Sequence, residues 1–288
     1  MSTSTPSPIF SLEFFPPRNE EAEQTFRTTL SRLAPLNPRF CSVTFGAGGT
    51  TQEKTHETVV HIQRSTGIEA APHLSCVGST RTTIHNILTA YREAGIRHLV
   101  ALRGDLPSGM LSIGEFSHAN ELVGFIREAT GDHFHIEVAA YPEMHPQAPT
   151  LETDLKNFKR KVEAGADSAI TQYFYNPEAY FRFMDDCQRI GVNIPVIPGI
   201  MPLTNYSQIS RFSELCGADI PRWIRKRLEQ FGDDRASIRA FGIDVVSQLC
   251  RTLLEGGAPG LHFYTLNGAE ATLGIWNNLG LTPTAAST

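Results

Sequence analysis

Short apolar, β-rich runs recur along this chain, and between them the apolar positions shift to helical spacing. Eight runs are legible: Phe10 to Phe14, Phe40 to Thr44, Ala71 to Ser75, His98 to Ala101, His135 to Ala139, Ser168 to Tyr173, Ile194 to Ile197 and Leu261 to Tyr264. Each ends in polar or glycine-rich residues. In the intervals, Leu151, Leu155, Phe158 and Val162 fall at i, i+4, i+7 and i+11, and Ile84, Leu88 and Tyr91 begin the same series. Both are one-sided stripes of amphipathic helices. Several stripes stop at a glycine (Gly67, Gly95, Gly131, Gly165, Gly191, Gly217), where a left-handed residue is expected to end the helix before the next strand.

Strands that alternate with helices predict a parallel sheet, because a parallel crossover needs a connection long enough to hold a helix. Six of the seven intervals between strand starts are about 25 to 40 residues, the size of a βα unit. The seventh, from Ile194 to Leu261, is roughly twice that and holds two helical patterns, Pro221 to Phe231 and Ala236 to Leu254. An extra helix is therefore expected before the eighth strand. The predicted class is α/β, a (β/α)8 TIM barrel in one domain over residues 9–288 after a flexible segment at 1–8. An open doubly wound sheet is the structural rival.

Composition narrows the function classes. With 41% hydrophobic and 19% charged residues, the 288-residue chain can bury a full core. A formal net charge of −5 argues against binding nucleic acid by phosphate neutralisation. No stretch approaches the roughly 18 consecutive apolar residues of a membrane helix, and the opening MSTSTPSP lacks the parts of a signal peptide. The five cysteines are odd in number and form no CxxC pair, which suits packing roles in a reducing compartment. A cytoplasmic protein without membrane partners is expected.

In a barrel of this class, function sits at the carboxyl ends of the strands. Glu13 interrupts the first run just there. A carboxylate in a barrel mouth is costly unless paired or protonated, so its pKa is expected to rise enough for general acid work, unless Arg18 or another base pairs with it. The second run leads into Thr44-Phe45-Gly46-Ala47-Gly48-Gly49-Thr50, either a loop that lets backbone approach a ligand or an ordinary tight turn. It is neither a GxGxxG fingerprint nor a Walker loop. Arg103-Gly104-Asp105 follows the fourth run, and Tyr141-Pro142-Glu143-Met144-His145-Pro146-Gln147 the fifth. After the sixth, Gln172, Tyr173 and Tyr175 suit a flat heteroaromatic ligand, though core packing explains the aromatics equally well. The histidines show no HExxH, and His133 with His135 reads as strand, so no metal site is assigned.

Taken together, these clusters resemble methylenetetrahydrofolate reductases of the short bacterial type. The matching stretches are FSLEFFPPR, SVTFGAGGT, AAPHLSC, RHLVALRGDLP, VAAYPEMHPQA, KRKVEAGADSAITQYFYN, PVIPGIMPL and LHFYTLN, in family order from about Phe10 to Asn267. The resemblance implies a (β/α)8 barrel with noncovalent FAD. NADH or NADPH would reduce the flavin, which would then reduce 5,10-methylenetetrahydrofolate to 5-methyltetrahydrofolate in ping-pong order, supplying methyl groups for methionine synthesis. It makes Glu13 the general acid and places Asp105 beside flavin and folate. It assigns flavin contacts to Thr44, Phe45, Ala47, His73, Arg103, Gly104, Asp105, Ala119, Tyr141, His145, Gln147, Ala148, Asp154 and Lys161. Gln172, Tyr173, Gln208 and Phe212 would join Glu13 and Asp105 at the folate. A homo-oligomer is also implied, and inhibition by S-adenosylmethionine through the eukaryotic regulatory extension is not expected.

Two positions depart from the pattern. His118 stands where the family commonly has tyrosine near the flavin. Gly268 follows Asn267 where the family generally has an arginine that helps hold folate. Either another cation, Arg222 or Arg225, takes over the anionic folate tail, or the change keeps open a flavin barrel acting on another one-carbon or amine substrate; an inactive flavin- or folate-binding subunit is a separate alternative, against which the retention of Glu13 and Asp105 argues.

Overall fold

The structure, a computed structural model, describes residues 8–45, 49–105 and 114–281. Strands and helices alternate: β1 (Ile9–Phe14), α1 (Glu20–Leu33), β2 (Phe40–Val43), α2 (Gly49–Thr66), β3 (Glu69–Ser75), α3 (Arg81–Glu93), β4 (His98–Leu102), α4 (Ala119–Thr130), β5 (His135–Ala140), α5 (Leu151–Glu163), β6 (Ser168–Thr171) and α6 (Pro177–Arg189). The short β7 (Val196–Ile197) and β8 (Gly199–Ile200) follow, then α7 (Tyr206–Cys216), α8 (Arg222–Phe231), α9 (Arg235–Glu255), β9 (Gly260–Tyr264) and α10 (Glu270–Asn278). The expected stretch at 1–8 lies outside the described residues except for its last residue, Pro8.

Local chemistry explains the element ends. Thr80, Thr150, Asn176 and Asn205 cap their helices by accepting a hydrogen bond from a backbone N–H of the first turn. The six glycines read as helix stops all have positive φ, between +58° and +115°. Gly217 is the exception in context, because it ends α7 and is followed by α8, not by a strand. The buried faces agree with the stripes: Ile84, Leu88 and Tyr91 are buried on α3, and Leu155 and Phe158 on α5. Leu151, at the exposed start of α5, is the part of the stripe that does not reach the core.

All neighbouring strands pair in parallel in the order β7-β6-β5-β4-β3-β2-β1-β9-β8. The two ends of this ladder are consecutive in the chain, so the sheet curls into a barrel. The expected seventh run, Ile194 to Ile197, is strand only at Val196–Ile197, which pair with β6; a second short strand just beyond it, Gly199–Ile200, pairs with β9. Pro198 divides them, having no N–H to give either ladder. Its carbonyl still accepts from His262 N at 2.9 Å. The long seventh interval holds three helices, α7 to α9, one more than the two patterns read from the sequence.

One apolar shell, including Leu12, Cys41, Leu74, Leu99, Val138 and Phe263, packs against the helices. Phe40, Ala71, Val100 and Ile170 form a separate apolar layer inside the barrel. Above and below that layer the interior is polar. Among the described residues, no helix is long and apolar enough to cross a membrane.

Candidate active site

Two cavities open at the carboxyl ends of the strands. The first, about 520 Å³, has Glu13, Thr44, His73, Asp105, Tyr141, Gln172, Tyr173 and Phe212 among its lining residues. The second, about 350 Å³, is lined by Arg103, Gly104, Asp105, Ala119, Tyr141, His145, Gln147, Ala148, Asp154 and Lys161, with His118 beside them. Leu102, Asp105, Ala139 and Tyr141 border both, so the two form one bent cleft. Three of the sequence-predicted residues stand apart. Phe45 is half-buried against the core and lines neither cavity. Gln208 is exposed in the first turn of α7, and its backbone N–H serves the Asn205 cap. Ala47, with Gly46 and Gly48, lies outside the described residues.

Glu13 sits at the floor of the first cavity. Its Oε2 lies 3.2 Å from His73 Nε2 and 3.4 Å from His262 Nε2. Ser11 Oγ holds the other ring nitrogen of His262, Nδ1, at 2.7 Å. Burial pushes the Glu13 carboxyl up, but the two imidazoles, His73 foremost, outweigh it and bring the pKa down to about 2. The raised pKa expected from the sequence is therefore reversed. The partner is not Arg18 either, which lines a separate surface hollow with Glu20, Glu23 and Lys54.

His262 is the residue sequence reasoning missed. The sequence signal was only the alternation that puts His262 and Tyr264 on one face of β9; their register with Ser11 and Glu13 of β1 emerges in the structure alone. Met201, Leu215, Cys216, Tyr264 and Leu266 complete the wall and were also not anticipated. Cys216 is thus a cavity residue rather than pure packing; all five cysteines are free thiols. The Tyr264 hydroxyl donates to Thr171 O at 2.7 Å, and the Tyr173 hydroxyl lies 3.0 Å from Ser213 Oγ. Both rings are thereby fixed while they line the cavity. Tyr175 is buried with its hydroxyl donating to Met201 O, which makes it a core residue.

The second cavity collects hydrogen-bonding groups. Arg103 donates to Gln147 Oε1 at 2.6 Å, and Asp154 accepts from His145 N at 2.8 Å. Lys161 donates to Ala139 O, and burial pushes its ammonium down to about 8 against the pull of Asp154. A cation so weakly compensated fits an anionic or acceptor-rich ligand. Gly104 has φ +82°, and a side chain there would collide with Ser75. The turn between Arg103 and Asp105 therefore requires glycine. A long cleft with cationic donors at one end, apolar and aromatic walls in the middle and a carboxylate at the other fits a dinucleotide flavin beside a second flat ligand.

After β9, Leu266 and Asn267 have positive φ, and Gly268 does not. The Asn267 side chain accepts from Phe15 N at 2.8 Å and donates to Phe15 O at 2.9 Å, tying this turn to the loop after β1. A Cβ on Gly268 would meet only Thr265 O, at 3.6 Å.

The family model described as methylenetetrahydrofolate reductase matches residues 2–280. The 5,10-methylenetetrahydrofolate reductase of Salmonella typhimurium is 43% identical over 95% of this chain and 91% of its own length. That of Escherichia coli is 42% identical with the same coverage. Methylenetetrahydrofolate reductase (NADH) 1 of Arabidopsis thaliana is 38% identical over 94% of this chain, which spans 48% of the plant protein. Among solved structures, an uncharacterized protein from Clostridium thermocellum that binds two copies of 5-methyl-5,6,7,8-tetrahydrofolic acid superposes with a TM-score of 0.66. It covers 96% of this chain and 94% of its own at 16% identity, a likeness of fold.

Proposed function

Because the chain belongs to the methylenetetrahydrofolate reductase family, we propose that it reduces 5,10-methylenetetrahydrofolate to 5-methyltetrahydrofolate at the expense of NADH or NADPH, with FAD bound in the bent cleft. The observation that carries the reading is the continuity of the two cavities across Leu102, Asp105, Ala139 and Tyr141. It sets a cation-bearing half beside a carboxylate-bearing half. Arg103, Gln147, Asp154 and Lys161, with the Gly104 turn, would hold the cofactor. When bound, FAD supplies a hydride relay that serves the nicotinamide and the folate in alternation, in ping-pong order.

The chain's own residues divide the remaining work. Tyr173, Phe212 and Gln172 offer stacking and hydrogen-bonding surface to a pterin or a nicotinamide on one shared face. Asp105, at the border of both halves, places negative charge where the substrate develops cationic character. Opening the five-membered ring of the folate needs a proton at nitrogen, and Glu13 with its two imidazoles is the proton store at the floor of that half. A ligand that closes the mouth removes water from the carboxylate, which raises its pKa and lets Glu13 carry the proton for donation. Reductants named in relatives favour NADH as the first to test. The product would feed methyl groups into methionine synthesis.

The test is an absorption spectrum of the purified protein, then anaerobic titration with NADH and mixing with methylenetetrahydrofolate. A flavin spectrum that bleaches with NADH and returns with the folate supports the reading. A flavin that stays reduced on adding the folate overturns the substrate assignment.

A further inference from the structure

At the opposite end of the barrel, below the layer of Phe40, Ala71, Val100 and Ile170, lies a second polar cluster. His98 opens β4, His135 opens β5, and Glu137 follows two residues later on the same face of β5. Glu137 Oε1 lies 3.3 Å from His98 Nε2 and 3.5 Å from His135 Nε2, and the three candidate ligand atoms all fall within 4.8 Å of one another. Glu137 is 1% exposed, and its second oxygen, Oε2, is buried without a hydrogen-bond partner. Oε1 thus serves both imidazoles, while the lone pairs of Oε2 stay unused in the interior, where a ligand would satisfy them.

The far side of each imidazole carries a second observation. His98 Nδ1 is 4.0 Å from Glu69 Oε2, and His135 Nδ1 is 3.9 Å from Asp167 Oδ2. Asp167 is itself held by Arg127 at 2.6 Å and by Ile136 N at 2.7 Å. Both rings thus turn Nε2 toward a shared carboxylate, and the outer carboxylates, which lie beyond hydrogen-bonding distance of Nδ1, add negative charge that favours a cation between the rings. Ser168 Oγ, 2.6 Å from His135 Nε2, is the hydrogen-bond partner that an ion would displace from that nitrogen, and the half-exposed His135 gives an ion a path from solvent.

We propose that His98, His135 and Glu137 bind one divalent transition-metal ion of the zinc class at the amino-terminal end of the barrel. Two imidazole nitrogens and one carboxylate oxygen are a borderline donor set suited to Zn(II) or Co(II). Ligand atoms about 3.3 Å apart are what a tetrahedral ion with bonds of about 2.0–2.1 Å requires, so only the imidazole pair has to close in. The role is structural. The Phe40 ring packs on His98 at 4.2 Å and separates the ion from the catalytic mouth, and the ligands would clip β4 to β5. No linear motif announces the site because the ligands come from two strands 37 positions apart.

The experiment uses the full untagged chain, stripped with chelator and titrated with Co(II) followed by ligand-field absorption, and with Zn(II) followed by calorimetry and thermal melting. One ion per chain is expected, with a higher melting temperature when loaded. His135→Ala and Glu137→Gln should each weaken binding by at least about 100-fold, whereas His85→Ala, at an exposed histidine of α3, should not. His135 is half-exposed and Gln is isosteric with Glu, so both variants should keep the wild-type circular dichroism. Absence of saturable binding overturns the proposal. So does binding of equal affinity in all three variants, which would place the ion elsewhere, and so does a variant that loses binding only together with its fold.

Discussion

Glu13 lies between two imidazoles within 3.4 Å, and its chemistry follows from that company. Its pKa, lowered from 4.5 to about 2, means that the folded state binds the anion more tightly than the unfolded chain does. The stabilisation is complete above about pH 4.5 and is lost as pH falls through about 2. Glu13→Gln removes this contribution, so calorimetric melting temperatures of the variant should fall less steeply than those of the wild type on acidification through that window. In stopped flow, the same variant should accept hydride from the nicotinamide normally and lose at least about 100-fold in the folate half-reaction, a typical share for general acid catalysis. Equal losses in both halves would make Glu13 a structural residue. Gly268 offers a complementary change. A strained glycine would forbid arginine there, yet its φ is not positive and a Cβ would meet nothing closer than Thr265 O at 3.6 Å. Gly268→Arg should therefore fold and lower KM for methylenetetrahydrofolate by up to about tenfold, the worth of one well-placed charge-assisted hydrogen bond, with flavin reduction unchanged. An unaltered KM would show that the folate tail is held from elsewhere, and a chain that turns over another amine substrate faster would redirect the assignment.

Between elements, the most instructive place is the seventh strand. Ile194 to Ile197 was legible as an apolar run, but not the division at Pro198 by which two dipeptide strands serve different neighbours. A proline in an apolar run ordinarily marks an edge. Here it marks the seam at which the barrel closes, and closure is a property of the whole ladder that no local window contains. Gly199, just past the seam, packs so tightly that a Cβ would collide with Thr171 O and the Tyr264 ring. Because Tyr264 is fixed by its hydrogen bond to Thr171, it cannot yield cheaply. Gly199→Ala should cost about 1–3 kcal/mol in urea denaturation, the range for an overpacked interior, and should also disturb the cavity wall that Tyr264 forms. A variant as stable as wild type would show that the seam is looser than drawn. The helices were easier to read, since stripe, cap and glycine agree at α3 and α5. α7 escaped because its buried positions, Ile209 and Ser213, include only one apolar residue.

Across the whole molecule, the barrel separates its tasks along its axis and around its mouth. The βα repeat revealed the architecture and therefore the end at which a site is to be sought. It placed Glu13, Arg103, Tyr141, Gln147 and Gln172 at one mouth without any pairwise information. What the repeat could not supply is contact across strands. Ser11, His262, His73 and Glu13 come from three strands, and their mutual distances exist only once β1 has β9 on one side and, beyond β2, β3 on the other. The same limit hid the division of the mouth into two cavities, and that division is open to test. Lys161 belongs to the second cavity alone and Gln172 to the first alone. If the second cavity holds the cofactor, the protein should purify yellow, and Lys161→Met should weaken FAD retention by about tenfold or more, the loss of one charge-assisted contact. Gln172→Ala should leave FAD retention unchanged and raise KM for the folate. Both variants keep the barrel core, because Lys161 and Gln172 line the two cavities and belong to neither apolar cluster. Fluorescence titration of the stripped protein with FAD decides the matter. Equal losses in the two variants would mean that the cleft binds its ligands as one undivided site. A colourless protein that cannot be reconstituted would remove the flavin altogether.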